Sequence, residues 1–353
     1  MKFIHTADLH LGSKMRAKFD DNQSKQRRIE IFGTFKNLVD YANDNDVRAI
    51  LLAGDVFDED NPISADKNDF LGVAKANPHI DFLYLRGNHD VNADTGENEL
   101  QNLKTFGEEW TYYNYGDVTI AGIELCPNNA KKAPTTLTLN AEGVNIITLH
   151  GDEQGTGKDA IDLRAYKGKN IDYVALGHIH KRRDGKLDER GEWAYSGCLE
   201  GRSFDETGEK GFLLLDVVGK KIERTFVPFA KRTFEEIDVD ITGVKNFVDA
   251  SQRIKPSLSS RENCYRINLV GDVDESVKTD DIAERIKDLL SHYAFLIDVK
   301  DKTQIVLDLE KYKDDPTLKG EFIRVVLADE KLSAEQKNQV LATGLKALEG
   351  RLK

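Results

Sequence analysis

The sequence predicts an α/β protein whose strands end in polar residues gathered at one place. Three observations predict it. Five short apolar runs read as strands: KFIHTAD from Lys2, AILLAGD from Ala49, FLYLRGNHD from Phe82, VNIITLHGD from Val144 and YVALGHIH from Tyr173. Helix-like stretches separate them, such as Gln26 to Asn43, where Ile29, Phe32, Phe35, Val39 and Tyr41 give an approximate helical stripe. After His180 come WAYSG from Trp193, GFLLLDV from Gly211 and KIERTFVPF from Lys221, which read as antiparallel strands completing a second sheet.

The first domain runs to about Lys231. From residue 232 to 304 a smaller α/β unit is expected: a strand in EEIDVDI, a helix in VKNFVDASQRI, a strand in NCYRINLVGDV, a helix in TDDIAERIKDLLSHY and a strand in AFLIDVKD. Residues 305–353 read as a helical tail. Ile323, Val326 and Leu327 form one apolar stripe, Ser333 is placed as an N-cap, and Val340, Leu341, Leu345 and Leu348 form a second. Two such helices either fold back on the body or dock a partner.

Each of the five runs ends in metal-ligand chemistry: Asp8-Leu-His10, Gly54-Asp55, Gly87-Asn88-His89-Asp90, His150, and Gly177-His178-Ile-His180. Residues two apart on a strand project to the same side, so Asp8 and His10 reach one point, as do His178 and His180. Loops beyond the carboxyl ends of strands gather at one edge of an α/β sheet, where ligand sites usually lie. Four imidazoles, two carboxylates and one amide oxygen suit Mn²⁺, Fe or Zn²⁺ better than the all-oxygen shells of Ca²⁺ and Mg²⁺. Seven donors exceed one tetrahedral centre and fit a pair of divalent ions bridged by a carboxylate, for which Asp55 is the natural choice. No G-x-S-x-G elbow occurs, so a serine-nucleophile scheme is not indicated. His5 has the opposite strand parity from Asp8 and belongs to packing, while His79 and His292 read as surface histidines.

The ordered set D-x-H, G-D-x-x-D, G-N-H-D, H and G-H-x-H resembles the calcineurin-like metallophosphoesterases. HTADLHLG from His5, GDVFDEDNPIS from Gly54 and YSGCLEG from Tyr195 resemble, more closely, the double-strand-break nucleases of the SbcD and YhaO type. The resemblance implies a four-layer αββα sandwich, a capping role for the second unit, and a tail that binds an SMC-like SbcC-type ATPase. It assigns one metal, most simply Mn²⁺, to Asp8, His10, Asp55 and His180, and the other to Asp55, Asn88, His150 and His178. His89 corresponds to the catalytic histidine facing the scissile phosphate. Asp58 is expected to hold that imidazole through its other nitrogen. The implied activity is a 3′-to-5′ DNA exonuclease and endonuclease, working as a homodimer. The rivals are a phosphodiesterase or phosphatase for a small nucleotide or phosphoprotein, and a noncatalytic DNA-end-binding scaffold.

Composition bounds these readings. The 353 residues allow two or three domains, and no run is long enough to span a bilayer. The start shows no signal-peptide pattern, and Cys126, Cys198 and Cys264 form no C-x-x-C pair, so a reduced cytoplasmic protein is expected. A net charge of −12 works against DNA binding, which draws its affinity from neutralised phosphates. Basic clusters beside the motifs work for it, and Lys14, Arg16, Lys181, Arg182 and Arg183 are the candidate DNA contacts.

Overall fold

Strand β1 (Lys2–Thr6) is buried on both faces, and its alternation defines the architecture of the first unit. Phe3 packs between two sheets while Ile4 packs against helices on the other side. The same parity recurs in β2 (Val47–Ala53), where Ala49 and Leu51 face the second sheet and Ile50 and Leu52 face the helices. An unbroken apolar run is what a strand covered on both faces requires.

In this computed structural model all residues are described except 16–17, 59–62, 91–99, 275–278, 307–311, 313 and 349–353. The chain divides into two compact units, Met1–Thr233 and Phe234–Lys353.

Among the described residues the first unit holds two six-stranded sheets. Strands β1, β2, β3 (Asp81–Leu85) and β4 (Leu103–Thr105) are parallel neighbours in the first sheet. The second sheet contains β5 (Thr111–Tyr115), β6 (Val118–Gly122), β7 (Val144–His150), β8 (Tyr173–Gly177), β9 (Arg183–Lys186) and β10 (Glu192–Tyr195), in the order β5-β6-β7-β8-β10-β9.

The strands after His180 depart from the sequence expectation. Strand β10 does join the second sheet, but parallel to β8. Strands β11 (Gly211–Val218) and β12 (Lys221–Pro228) return to the first sheet instead, β11 pairing antiparallel with β1 in the register Phe3↔Leu215. The physical reason is the free edge of β1, which β11 covers, leaving Leu213, Leu215 and Val217 to fill the core between the sheets.

Helix α1 (Asp21–Asp44) opens with a capping box: Asp20 Oδ1 accepts from the Gln23 N–H at 2.7 Å and Gln23 Oε1 accepts from the Asp20 N–H at 3.1 Å. Its buried face is Arg27, Ile31, Thr34, Phe35, Leu38, Val39 and Ala42, whereas Ile29 is 73% exposed, so the stripe is rotated from the one the sequence implied. Phe35 stacks on Phe70 of α2 (Ser64–Ala76) at 5.5 Å, beside Phe57 and Phe82. Truncating one such buried ring to Ala costs about 3–5 kcal/mol. The outer face of the second sheet is covered more thinly, by the short α3 (Ala133–Thr136), a single turn at Leu163–Tyr166, and loops.

In the second unit β13 (Phe234–Asp240), β14 (Cys264–Val270) and β16 (Leu296–Asp301) form a parallel sheet, and β15 (Asp272–Asp274) pairs with β17 (Gln304–Val306). Helices α4 (Phe247–Ile254) and α5 (Thr279–Leu290) make the crossovers, burying Ile254, Ile286 and Leu290 against Ile267 and Leu269. The tail forms α6 (Leu318–Ala328) and α7 (Ala334–Leu348), with Ser333 and Gln336 reciprocally capping the latter. Ile323 and Val326 pack on Leu341, Leu345 and Tyr312, and α7 also packs on β17. The two stripes are therefore used on each other, while Val340 and Leu348 stay partly exposed. No helix among the described residues is long and apolar enough to cross a membrane.

Candidate metal centre

Two loops pinned together by backbone hydrogen bonds build the site. The N–H of Asp8 donates to Gly54 O at 3.0 Å, that of His10 to Asp55 O at 3.0 Å, and that of Leu11 to Val56 O at 2.8 Å. Buried Asp90 binds a third loop to them, its carboxylate accepting from the N–H groups of Gly87 (2.6 Å) and Val56 (2.9 Å) and from Tyr84 Oη (2.7 Å). Strands β1, β2 and β3 belong to one sheet and β7 and β8 to the other, so the ligand residues come from the ends of both sheets.

The backbone is strained where the ligands sit. Asp8 (φ 53°), His10 (φ 47°), Asp55 (φ 53°) and His178 (φ 100°) all occupy the left-handed side that non-glycine residues avoid. Gly54, at φ 96°, has no such penalty, and a Cβ there would lie 2.0 Å from His150 Nδ1. Its glycine is required by the approach of that imidazole.

The side chains converge. Asp8, His10, Asp55 and His180 offer ligand atoms within 4.8 Å of one another. His10 Nε2 and His180 Nε2 face each other at 3.1 Å. Asn88 Oδ1 lies 3.1 Å from His150 Nε2 and 2.8 Å from His178 Nδ1, and Asp55 Oδ2 lies 3.5 Å from His150 Nε2 and 3.9 Å from His10 Nε2. The structure therefore brings all seven sequence-predicted ligands together.

The outer contacts orient the rings. His150 Nδ1 donates to Ala53 O at 2.9 Å, and His180 Nδ1 to Glu206 Oε1 at 2.7 Å, while His10 Nδ1 lies 2.9 Å from Asp58 Oδ1. His10 Nε2 and His180 Nε2 face each other, and His150 Nε2 faces the Asp55 carboxylate and Asn88 Oδ1. Converging nitrogen and oxygen donors of this kind fit a cation, and carboxylate or carbonyl groups behind metal-binding histidines are the usual device for orienting them. Burial raises the Asp8 carboxyl to about 6 even against the nearby His180 and His150. Burial acts to raise Asp55 too, but hydrogen bonding and charge from His150, then His10, hold it well below the carboxylate range. Burial would depress His150, yet Asp55 outweighs it and lifts this imidazole to about 9.

Asp58 does not do what the sequence implied. Its carboxylate goes to His10 and to Arg202 Nη1 (2.6 Å), and only its backbone carbonyl meets His89 Nδ1, at 3.3 Å. The guanidinium and the His10 ring take the hydrogen-bonding contacts of the carboxylate, which stays within 4.8 Å of a His89 ring nitrogen. His89 is half-buried, its ring edge-on to His10 with centroids 5.0 Å apart, and its backbone N–H donates to Asp55 Oδ1 at 2.9 Å. Sequence reasoning missed Arg202 and Glu206, although both follow shortly after the YSGCLEG stretch that drew attention.

The candidate DNA contacts divide. Lys14 and Lys181 are exposed, and Arg182 is exposed with its guanidinium 4.3 Å over the Phe226 ring. Arg183 is ion-paired with Glu153 at 2.5 Å, and Arg16 lies outside the described residues. Arg27, which also follows the first motif, is fully buried against Glu200 at 2.7 Å and cannot touch a phosphate backbone. His5 bridges the sheets, Nδ1 to Tyr173 Oη at 2.8 Å and Nε2 to Leu176 O at 3.2 Å, as packing parity implied. His79 is exposed and bonds Asn43 Oδ1 at 2.7 Å, and His292 is exposed.

Two stacked mixed sheets with Asp, His and Asn ligands at their joined ends define a metal-dependent phosphoester hydrolase. The chain belongs to the calcineurin-like phosphoesterase family, whose model matches residues 1–182. It is 26% identical over 319 residues to the DNA double-strand break repair protein Mre11 of Methanosarcina acetivorans, covering 85% of this chain and 50% of that protein. It is 28% identical over 303 residues to the uncharacterized metallophosphoesterase YhaO of Bacillus subtilis, covering 78% of this chain and 73% of YhaO. Against the Mre11 protein of Sulfurisphaera tokodaii the identity is 28% over 211 residues, 53% of this chain and 51% of that one. The chain spans about half the length of these two archaeal relatives.

Proposed function

We propose that the chain is a Mn²⁺-dependent DNA exonuclease and endonuclease that degrades duplex ends 3′ to 5′. In this reading it is the nuclease subunit of a complex with an SMC-like, SbcC-type ATPase and works as a homodimer, its second unit taking part in DNA selection. The carrying observation is the convergence of seven ligand groups, with His89 at their edge in a cluster with His10 and Asp58. Relatives named as break-repair proteins support the choice of DNA. The mixed nitrogen and oxygen set favours Mn²⁺ over Mg²⁺.

Two divalent cations held by Asp8, His10, Asp55 and His180 and by Asp55, Asn88, His150 and His178 would supply an activated water and neutralise the phosphate oxygens. His89 does the remaining work. Its Nδ1 is turned towards the Asp58 carbonyl, which leaves Nε2 to contact the phosphate or to protonate the leaving oxygen. The test is incubation of the purified chain with Mn²⁺ and end-labelled linear duplex. Stepwise loss from 3′ ends is expected, and cleavage of cyclic or short nucleotides with every DNA substrate intact would overturn the reading.

One observation favours a smaller phosphodiester substrate. Arg183 is engaged by Glu153 in a chain of net charge −12, which leaves less positive surface for a long backbone. The same assay decides between them.

A further inference from the structure

Arg202 is a guanidinium with 2% exposure whose shortest contacts lead towards one side of the metal centre, with longer ones to Ser13 Oγ at 3.4 Å and His180 Nδ1 at 3.3 Å. Nη1 donates to Asp58 Oδ1 at 2.6 Å, Nη2 donates to Glu206 Oε1 at 2.9 Å, and its own backbone N–H donates to Glu206 Oε2 at 2.6 Å. Each carboxylate then meets an imidazole: Asp58 Oδ1 at 2.9 Å from His10 Nδ1, and Glu206 Oε1 at 2.7 Å from His180 Nδ1. One fork thus sets two histidines whose Nε2 atoms oppose each other at 3.1 Å.

We infer that Arg202 is a positioning residue which, through Asp58 and Glu206, sets His10 and His180 and makes the metal position they share the tighter of the two. The proposal rests on the metal-centre reading and adds an inequality between its two halves. Behind His10 and His180 stand two carboxylates and one guanidinium, a net charge of −1. Behind His150 stands the uncharged carbonyl of Ala53. The two backing carboxylates favour a cation at the first position, and Arg202, whose own charge opposes one, acts there by fixing the orientation of the rings.

The fork is itself anchored. Glu200, two residues before Arg202, accepts from Arg27 Nη2 and Thr34 Oγ1 of α1, both at 2.7 Å, so the segment carrying the clamp is tied to a helix in the core. Lysine cannot replace the arginine, because a single ammonium on a flexible stem does not hold two carboxylates in a fixed geometry.

The experiment is a Mn²⁺ titration of the full chain after chelator treatment, read by loss of the free-ion EPR signal and by calorimetry. Wild type is expected to bind two ions in two resolved steps. Arg202→Met is expected to weaken the tighter step about 10–100-fold and to leave the weaker step within about threefold. Arg202→Lys should weaken the same step to a lesser extent, and Glu206→Gln provides the same reading should the Arg202 variants fail to fold. Unchanged tight binding in a folded variant, or equal weakening of both steps, would overturn the proposal. A wild-type chain that takes up no Mn²⁺ would instead overturn the metal-centre reading, and the clamp with it.

Discussion

Asp58 and His10 stand in direct contact, Oδ1 to Nδ1 at 2.9 Å, while His89 receives only the Asp58 backbone carbonyl. The aspartate therefore serves a ligand and leaves the presumed proton donor to a neutral acceptor. Asp58→Asn should then act on metal retention, with Mn²⁺ affinity falling about 10–100-fold and activity restored by excess Mn²⁺. A shift in the acid limb of the pH–rate profile at saturating Mn²⁺ would assign the carboxylate to His89 after all.

His89 makes the opposite prediction. Its side chain can be removed without breaking any contact among the seven ligands, so His89→Leu should bind metal like wild type and lose activity by about 10²–10⁴-fold. Stoichiometry by metal analysis and turnover of a phosphodiester, measured on the same preparation, check both halves.

Buried His5 gives a pH prediction away from the metal. Burial, with Arg224 adding to it, depresses its pKa from 6.5 to about 3 in the fold. Between those two values the unfolded chain binds a proton that the folded chain does not, so stability rises with pH across the window and falls on acidification from 6.5 towards 3. The slope for one proton is at most about 1.4 kcal/mol per pH unit. Denaturant midpoints of wild type and His5→Gln across that range should converge at low pH, because the variant lacks this term.

Helix α6 separates packing from docking. Ile323 is 1% exposed whereas Leu318 and Val325, seven residues apart on one face, are 73% and 59% exposed. Ile323→Asp should unfold the tail, lowering helicity. Leu318→Lys with Val325→Lys should leave helicity unchanged and abolish copurification of an SMC-like ATPase, if the tail is the docking segment. Retention of the ATPase by the double variant would move the docking site elsewhere.

Bound metal should also stabilise the first unit. At a Mn²⁺ concentration 100 times the Kd, binding adds about 2.7 kcal/mol. For a unit of this size that corresponds to a rise in melting temperature of roughly 5–10 °C, reversed by chelation. An unchanged melt would mean that the converging donors are not a cation site.

The candidate ligands were legible in the sequence by donor type and by their place just past apolar runs, but not by strand parity: β1 ends at Thr6 and β8 at Gly177, and Asp8, His10 and His178 reach the site from left-handed loop backbone. The strands and helices of residues 234–301 were legible because they have clear periods and alternate regularly, whereas the grouping of the tail with them in one compact unit was not. What could not be read is set by contacts across the chain. Strands β11 and β12 carry no local mark of the sheet they will join, and only the free edge of β1 decides it. Arg202 and Glu206 carry no local mark of a role, and only the fold places them within 3 Å of Asp58 and His180. The rotation of the α1 stripe has the same origin: Arg27 is buried because Glu200, 173 residues away, neutralises it.

The left-handed backbone at Asp8, His10, Asp55 and His178 carries a consequence for descent. Each such residue costs about 1–2 kcal/mol relative to a conformation it prefers, and glycine at the same place would relieve that cost. Metal ligation, which glycine cannot supply, opposes this gain. A lineage that abandoned the chemistry while keeping the fold would be released, and mutation would drift those positions towards glycine or asparagine. Reading residues 8, 10, 55 and 178 in aligned relatives thus offers a test for lost activity, one that needs no assay.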